Sequence, residues 1–398
     1  MGEYDEFAEA LLDQLSVEVS EEREMERLAG EIAADADFGV SFEPLDELAE
    51  RLLDGMAGLA EGVTGLARAA GLRVEVTGLG EFKSLKARKV HAREDSAGYA
   101  RDLFAAVGSG DAGAVAGLAE RDTPRFLVYS TYAKSYLSKI STTYGDYMEP
   151  AIHLNSFILS RYPQIILYRQ GRPYEARRAA VSSGYVGAVK MTILEEATHS
   201  MQGPLHEANR AAVAGVNAIN EELAAEIMGL GDAEARGLAE HLGLPPVPDD
   251  FAVALRANLF FALNPDNFVA RVLGPDVMTY NRVEVEPGIA RALPGLADMY
   301  ERWLRPIQSH HAAFAVMEGM AAFVVREALA DDADFGMYLQ TFMGTDRTSY
   351  GVRKGIGRDF VAAAHSEMGR GAFGEMLRRA PTTRDIKDPA AWLAAAGH

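Results

Sequence analysis

The feature that most constrains this chain is a long succession of helix-length segments that begins at residue 186. Each segment is a plausible α-helix, and clusters of proline and glycine at 243–248, 264–275 and 344–351 separate the segments. The predicted helices cover 186–202, 205–229, 232–242, 250–263, 288–305, 307–330, 355–368 and 371–379. We therefore predict that this part of the chain is mainly helical.

Three acidic amphipathic segments, at 3–16, 20–35 and 43–61, open the chain. Residues 1–62 hold 19 Asp and Glu but only 3 Arg, so most of the net charge of −19 lies there. We expect these segments to belong to a helical N-terminal unit; a partner-binding arm is the alternative. An acidic chain is poorly suited to neutralising phosphates, so we expect no nucleic-acid partner.

Residues between these two helical regions favour strands. The segment GLRVEVTGLGEF (71–82) is bounded by glycines, and 151–170 is rich in β-branched and aromatic residues. The predicted fold class is therefore α+β, mainly helical, with a small sheet before the helix at 186–202. We predict an acidic helical N-terminal unit at 1–120 and a second domain at 121–398. The second domain contains a helical insertion at about 205–305.

The composition limits the chemistry. The chain has 398 residues and no cysteine, which excludes disulfides, thiolate zinc sites and cysteine nucleophiles. Its first residues lack a basic segment followed by an apolar one, so we expect no signal peptide. No stretch approaches the roughly 18 uncharged apolar residues of a membrane helix. We therefore expect a cytoplasmic protein with no membrane partner; the sequence does not determine its oligomeric state.

The segment TILEEATHSMQG (192–203) carries the strongest chemical signal. Glu195 and His199 are four residues apart, so both side chains lie on one face of the predicted helix. A zinc-protease HExxH helix has its two metal ligands at this spacing, with a glutamate base after the first. Glu195 and His199 would then be ligands and Glu196 the base. A solvated acidic helix face is the alternative interpretation.

Two glutamates are candidates for a third ligand. Glu318 is a lone carboxylate in the apolar helix HHAAFAVMEGMAAFVVREAL, where its burial is costly unless it is paired or bound to metal. Gly319 beside it permits close approach of another backbone. Glu222, in AINEELAAEIMG together with Glu226, is nearer in sequence. The residues alone leave both candidates open.

At this point the sequence resembles a family. EEATHSMQ is similar to the HExxHxLQ helix of gluzincin-type zinc metallopeptidases, and EGMAAFVV resembles the helix that supplies their glutamate ligand. The tail SYGVRKGIGRDFVAAAHSEMGRGAFGEMLRRAPTTRDI also resembles that family. The likeness covers 185–390 at most and leaves 1–120 unexplained. It implies a zincin-like fold, hydrolysis of peptide or protein substrates, His199 and Glu318 as zinc ligands, and Glu196 as general base.

The chain departs from that family at one ligand, since Glu195 stands where the family has its first histidine. The set Glu195, His199 and Glu318 is richer in oxygen than the family's set. This makes Mn²⁺ and Fe²⁺ stronger competitors of Zn²⁺ for the single divalent-metal site. More anionic ligands also make the metal a weaker Lewis acid. Zn²⁺ remains the first expectation.

Other residues and other classes of protein also fit the pattern. Tyr350 and His311 are candidates for stabilising an oxyanion, with ordinary structural roles as the alternative. A degenerate zincin would hold no metal and act as a binding or scaffold module. A di-iron carboxylate protein would use the element Glu196-x-x-His199 with other glutamates, but the sequence offers no second such element on a helix.

Overall fold

The computed structural model describes residues 2–14, 16–89, 91–137, 142–248, 251–265, 284–342 and 349–395. Over these residues the fold is mainly helical with one small sheet, so the predicted class is confirmed at that level. The helices are α1 (Glu3–Gln14), α2 (Ser16–Ala34), α3 (Leu45–Thr64), α4 (Leu79–Arg88), α5 (Glu94–Ser109), α6 (Ala112–Arg121), α7 (Thr123–Leu137), α8 (Ser156–Arg169), α9 (Glu175–His199), α10 (Gly203–Met228), α11 (Asp232–His241), α12 (Ala252–Leu263), α13 (Pro287–Ala292), α14 (Leu296–Ala328), α15 (Ala333–Thr341), α16 (Ser349–Met368), α17 (Gly371–Arg378), α18 (Thr383–Lys387) and α19 (Pro389–Ala395). None of these described helices is both long and apolar enough to span a membrane.

The sheet has three strands in the order β1-β3-β2. They are β1 (Arg73–Thr77), β2 (Gly145–Met148) and β3 (Ala151–Asn155). β1 runs parallel to β3, with Glu75 opposite His153, and β2 runs antiparallel to β3, with Tyr147 opposite Ile152. Every residue of β3 is buried, as expected for the central strand.

The prediction of strands throughout 151–170 is wrong beyond Asn155, where the chain enters α8. Asn155 is the N-cap, and its side chain accepts a 3.2 Å hydrogen bond from the backbone N–H of Phe157. Phe157, Ile158 and Leu159 are buried on this helix. Burial of these side chains in tertiary contacts therefore overrides their β propensity.

Contacts between Cα atoms divide the chain into two compact units. The first consists of Met1–Val17, Lys83–Ser138 and Ala208–Ala312, and the second of Glu18–Phe82, Lys139–Glu207 and Ala313–His398. Residues 1–120 are thus shared between both units, whereas the sequence predicts one N-terminal unit over that range. The segment predicted as a helical insertion falls mostly in the first unit. Local periodicity does not encode such interleaving, because it depends on contacts between distant segments.

The first unit is helical, and its interior contains a satisfied buried carboxylate. Helix α5 packs on α6 and α7, and α1 packs on α6. Glu221 accepts hydrogen bonds from Ser96 Oγ at 2.9 Å and from Tyr129 Oη at 2.7 Å. The Arg125 guanidinium lies 3.4 Å from the same carboxylate. These partners offset the cost of burying the charge, which is typical of a structural role.

Helix α9 is the central element of the second unit and packs against α3, α8, α15 and both β2 and β3. Its contact with α15 is unusually close at Gly187, where an added Cβ would lie 2.1 Å from the Asp334 carbonyl oxygen. Lys190 on α9 donates to Asp332 at 2.7 Å and to Asp334 at 2.8 Å. The middle of α9 is therefore packed closely against α15 and tied to its N-terminal end.

The C-terminal part of α14 and helix α16 approach each other backbone to backbone. A Cβ on Gly319 would lie 2.2 Å from the Gly357 carbonyl carbon, and one on Gly357 would lie 1.7 Å from the Ala315 carbonyl oxygen. The close approach predicted at Gly319 is thus confirmed. These glycines fix the position of α16 relative to the turn of α14 that carries Glu318.

Candidate metal centre

The last turns of α9 and the second half of α14 bring three sequence-predicted residues together. Glu195, His199 and Glu318 each offer one ligand atom, and these atoms lie within 4.8 Å of one another. His199 Nε2 and Glu318 Oε1 are 3.9 Å apart. The three side chains are only 16%, 10% and 13% exposed, respectively. They are therefore largely withdrawn from water and face each other.

The orientation of the His199 ring is set by Gln202, which is fully buried. The Gln202 amide nitrogen donates to the Met317 carbonyl at 3.0 Å, so its oxygen faces the ring. That oxygen lies 2.9 Å from His199 Nδ1, which must therefore carry the proton and donate. Nε2 is then the nitrogen that faces Glu318. A second residue that orients a metal-binding histidine in this way is a general feature of metal sites.

Glu196, the predicted base, is buried next to this group and contacts the sheet. Its Oε2 accepts a 2.7 Å hydrogen bond from the backbone N–H of Tyr147 on the edge strand β2. Hydrogen bonds of this type favour the ionised form of a carboxylate. Glu196 is thus fixed in position beside the three grouped residues and is not one of them.

Lys354, on α16, is a member of the site that sequence reasoning missed. Its ammonium donates to Glu195 Oε1 and lies 3.7 Å from Glu318 Oε2. Burial disfavours the charged ammonium, but the neighbouring carboxylates, Glu195 first and Glu318 second, outweigh it and raise the Lys354 pKa. The residue's only signal in the sequence is a cation one residue before the predicted helix 355–368, which is too common a feature to identify it.

The same carboxylates act on His199. Burial lowers the pKa of the imidazole, but Glu318, Glu196 and Glu195 outweigh this effect and raise the His199 pKa above its ordinary value. The site thus sets the Lys354 ammonium and the His199 imidazole against its clustered negative charge. A divalent cation would supply the same compensation in one ion.

The structure also separates the two candidates for the third ligand. Glu222 forms a two-pronged ion pair with Arg302 at 2.7 and 2.9 Å, and both side chains are exposed. This pair lies in the first unit, whereas the group that contains Glu318 lies in the second. The ambiguity between Glu222 and Glu318 is therefore resolved geometrically in favour of Glu318.

Of the two predicted oxyanion-stabilising residues, the structure describes the side chain of His311 alone. His311 lies on α14 but belongs to the first unit, where its ring centroid is 5.2 Å from that of His310. Tyr350 is in the first turn of α16, and its side chain lies outside the described part of the chain. His153 in β3 is 6% exposed and lies 3.2 Å from Thr77 Oγ1, so it is a buried histidine with a structural partner.

The donor set fits a divalent cation. Two carboxylate oxygens and one imidazole nitrogen are acceptable ligands for Zn²⁺, at bond lengths of about 2.0–2.2 Å, and also for Mn²⁺ and Fe²⁺. Their separations, within 4.8 Å, must contract for the three atoms to reach a common ion. The group can therefore hold a metal ion, whose identity the geometry leaves open.

Comparisons of the chain with protein-family models, with curated proteins and with solved structures give no match in any of the three.

Proposed function

We propose that this protein is a metal-dependent hydrolase of the zincin type that cleaves peptide or protein substrates in the cytoplasm. Glu195, His199 and Glu318 would hold one divalent cation, with Zn²⁺ as the first candidate and Mn²⁺ or Fe²⁺ as alternatives. The observation that carries the proposal is the convergence of these three largely buried side chains, from two separate helices, within 4.8 Å. Two clustered carboxylates beside an imidazole need compensating positive charge when buried, and the Lys354 ammonium supplies one unit of it.

Each residue of the site has a defined part in this proposal. When bound, the cation supplies Lewis acidity, which polarises a carbonyl group and acidifies water. Gln202 holds the His199 ring in the tautomer that leaves Nε2 available as a ligand. Glu196 takes a proton from the attacking water and gives it to the departing amine. The Tyr147 N–H keeps the Glu196 carboxylate in place for this transfer.

The order of elements supports a zincin-type arrangement. β2 and β3 come shortly before α9, which packs directly on both strands and carries Glu195 and His199. The third candidate ligand follows on a later helix, α14.

The proposed activity is tested by peptide-library cleavage with protein loaded with Zn²⁺, Mn²⁺ or Fe²⁺. Wild type should cleave, and Glu196→Gln should be slower by at least about 100-fold while still binding the metal, because a positioned general base contributes that much. Glu207→Gln, a change on the following helix, is the control and should cleave like wild type. Equal cleavage by wild type and Glu196→Gln would contradict the role of Glu196.

One observation favours a second candidate, a degenerate zincin that serves as a binding or scaffold module. The Lys354 ammonium already pairs with Glu195 and lies 3.7 Å from Glu318, so a cation from the chain itself partly balances the group. On this alternative, purified wild type neither binds a divalent ion nor cleaves any peptide. The di-iron alternative has no comparable support, because the metal-capable group in the described ranges contains a single histidine.

A further inference from the structure

The charge of the candidate ligand set differs from that of an ordinary zinc-protease site. Two neutral histidines and one glutamate carry one negative charge in total, as in the His₂Glu sites of zinc peptidases. Replacing the first histidine by Glu195 adds a second negative charge to the set. A dication would then be held more tightly but would be a weaker Lewis acid. A positive charge near Glu195 is needed to offset this extra negative charge if the dication is to keep its Lewis acidity.

Lys354 is placed where it offsets that charge. Its ammonium donates to Glu195, the carboxylate that stands at the histidine position, and lies farther from Glu318, at 3.7 Å. The Lys354 side chain is 24% exposed and the Glu195 side chain 16%. Coulomb attraction is strong at such partly dehydrated positions. The pair is thus a local feature of the site and differs from a solvated surface ion pair.

The backbone around Lys354 is shaped to hold this position. Gly357, one turn later on α16, contacts the Ala315 backbone on α14 so closely that no side chain fits. This contact fixes the register of α16 on the helix that carries Glu318. The adjacent cation, Arg353, is directed elsewhere, since its guanidinium lies 4.9 Å from the centre of the Phe314 ring. Lys354 is therefore the cation that α16 presents to the site.

We propose that Lys354 is the charge partner of Glu195, so that the Glu195–Lys354 ion pair replaces the neutral imidazole of an ordinary zinc-protease ligand set. The inference rests on the proposed function, because it concerns the same cation site. Lys354 acts through Glu195 and is a positioning residue. Its ammonium repels a dication and competes with it for Glu195, so Lys354 lowers the affinity for the metal. Its positive charge also cancels the negative charge of Glu195, so the ligand set has the net charge of a site with one carboxylate.

The inference predicts an order of affinities in four proteins, measured as the Kd for Zn²⁺ by competition with a chromophoric chelator. Lys354→Met makes the site more negative and should bind at least about tenfold more tightly than wild type. Glu195→His makes it more positive and should bind at least about tenfold more weakly. The double variant Glu195→His with Lys354→Met restores the wild-type charge and should bind within about threefold of wild type.

Controls separate the charge effect from damage to the fold. Lys387→Met removes the same charge from an exposed position on α18 and should leave the Kd for Zn²⁺ within about twofold of wild type, since solvent and salt screen it. Lys354→Arg keeps the charge and should stay within about threefold. Circular dichroism spectra of all variants without metal establish that each is folded. The double variant guards against failure of Lys354→Met alone, since it leaves no extra carboxylate unbalanced.

The outcomes distinguish this inference from the proposed function. Wild-type binding of Zn²⁺ that is unchanged or weakened by Lys354→Met would overturn the inference and leave the proposed function standing. Absence of Zn²⁺ binding by all four proteins would overturn both. Binding of Zn²⁺ by Lys354→Met but not by wild type would overturn the proposed function. It would support the inference that Lys354 opposes binding of the cation.

Discussion

The Gln202 side-chain oxygen accepts a 2.9 Å hydrogen bond from His199 Nδ1, while its amide nitrogen donates to the Met317 carbonyl at 3.0 Å. One buried amide thus ties the imidazole at the end of α9 to the backbone of α14, one residue before Glu318. The relationship gives the candidate ligand a fixed tautomer and links the two helices that form the group.

Loss of this link should weaken metal binding. We expect Gln202→Ala to raise the Kd for Zn²⁺ by about 10–100-fold, the usual cost of removing a partner that orients a metal-binding histidine. Chelator competition measures this change, and circular dichroism checks that the variant is folded. Gln202→Glu, which can still accept from Nδ1, should bind more tightly than Gln202→Ala. Equal affinity of wild type and Gln202→Ala would contradict the orienting role.

The contact between α14 and α16 gives a prediction about stability. Gly357→Ala should destabilise the protein by about 3 kcal/mol, because the new methyl group would overlap the Ala315 carbonyl and force the helices apart. Gly355→Ala is the matched control on the same helix, where nothing lies within 4 Å of the added Cβ. That change should be neutral or stabilise by up to about 1 kcal/mol. Urea unfolding measures both, and similar results for the two variants would contradict the close packing.

Acid should destabilise the protein through His91 in the first unit. Burial, followed by repulsion from Arg210 and Lys89, lowers the His91 pKa from 6.5 to about 4. Between these values the unfolded chain binds a proton that the folded chain does not, so stability falls as the pH drops from 6.5 to about 4. In His91→Gln, the dependence of the unfolding free energy on pH over this range should disappear. Urea unfolding at several pH values measures this dependence, and a His91→Gln variant with the same pH dependence as wild type would contradict the role of His91.

The buried carboxylate of the first unit depends on Tyr129. Tyr129→Phe removes the 2.7 Å hydrogen bond from Oη to Glu221 and should destabilise the protein by about 2 kcal/mol, because the acceptor is a buried charge. Adding Glu221→Gln should recover part of the loss, since a neutral amide is less costly to leave underbonded. A double-mutant cycle by urea unfolding measures the coupling, and additive effects would contradict it.

Local sequence patterns predict much of the helical framework. The segments 3–16, 20–35 and 43–61 correspond to α1, α2 and α3 within a few residues at each end. The boundary predicted between 288–305 and 307–330 is absent, because Pro306 lies inside the continuous helix α14. Partners that stabilise α14 over this length lie on other segments, so a local pattern does not reveal them.

In the candidate site too, local sequence features identify some residues, and only tertiary packing reveals the others. Glu195 and His199 are identified by helical spacing, and Glu318 by being an isolated carboxylate among apolar residues, all of which are local features. Lys354 joins the site through the packing of α16 on α14, and nothing near it in sequence signals a carboxylate partner. The engagement of Glu196 by the Tyr147 N–H is also tertiary, since it depends on a strand about fifty residues earlier in the chain.

The central claim is that Glu195, His199 and Glu318 together hold one divalent cation, and metal content after equilibrium dialysis tests it most directly. Tag-free wild type dialysed against Zn²⁺ and then against metal-free buffer should retain one ion per chain. His199→Ala and Glu318→Ala should retain none, while Glu222→Ala, at the rejected ligand candidate, should retain one. A folded wild type that keeps no ion, or that keeps the same ion after both ligand substitutions, would contradict the account.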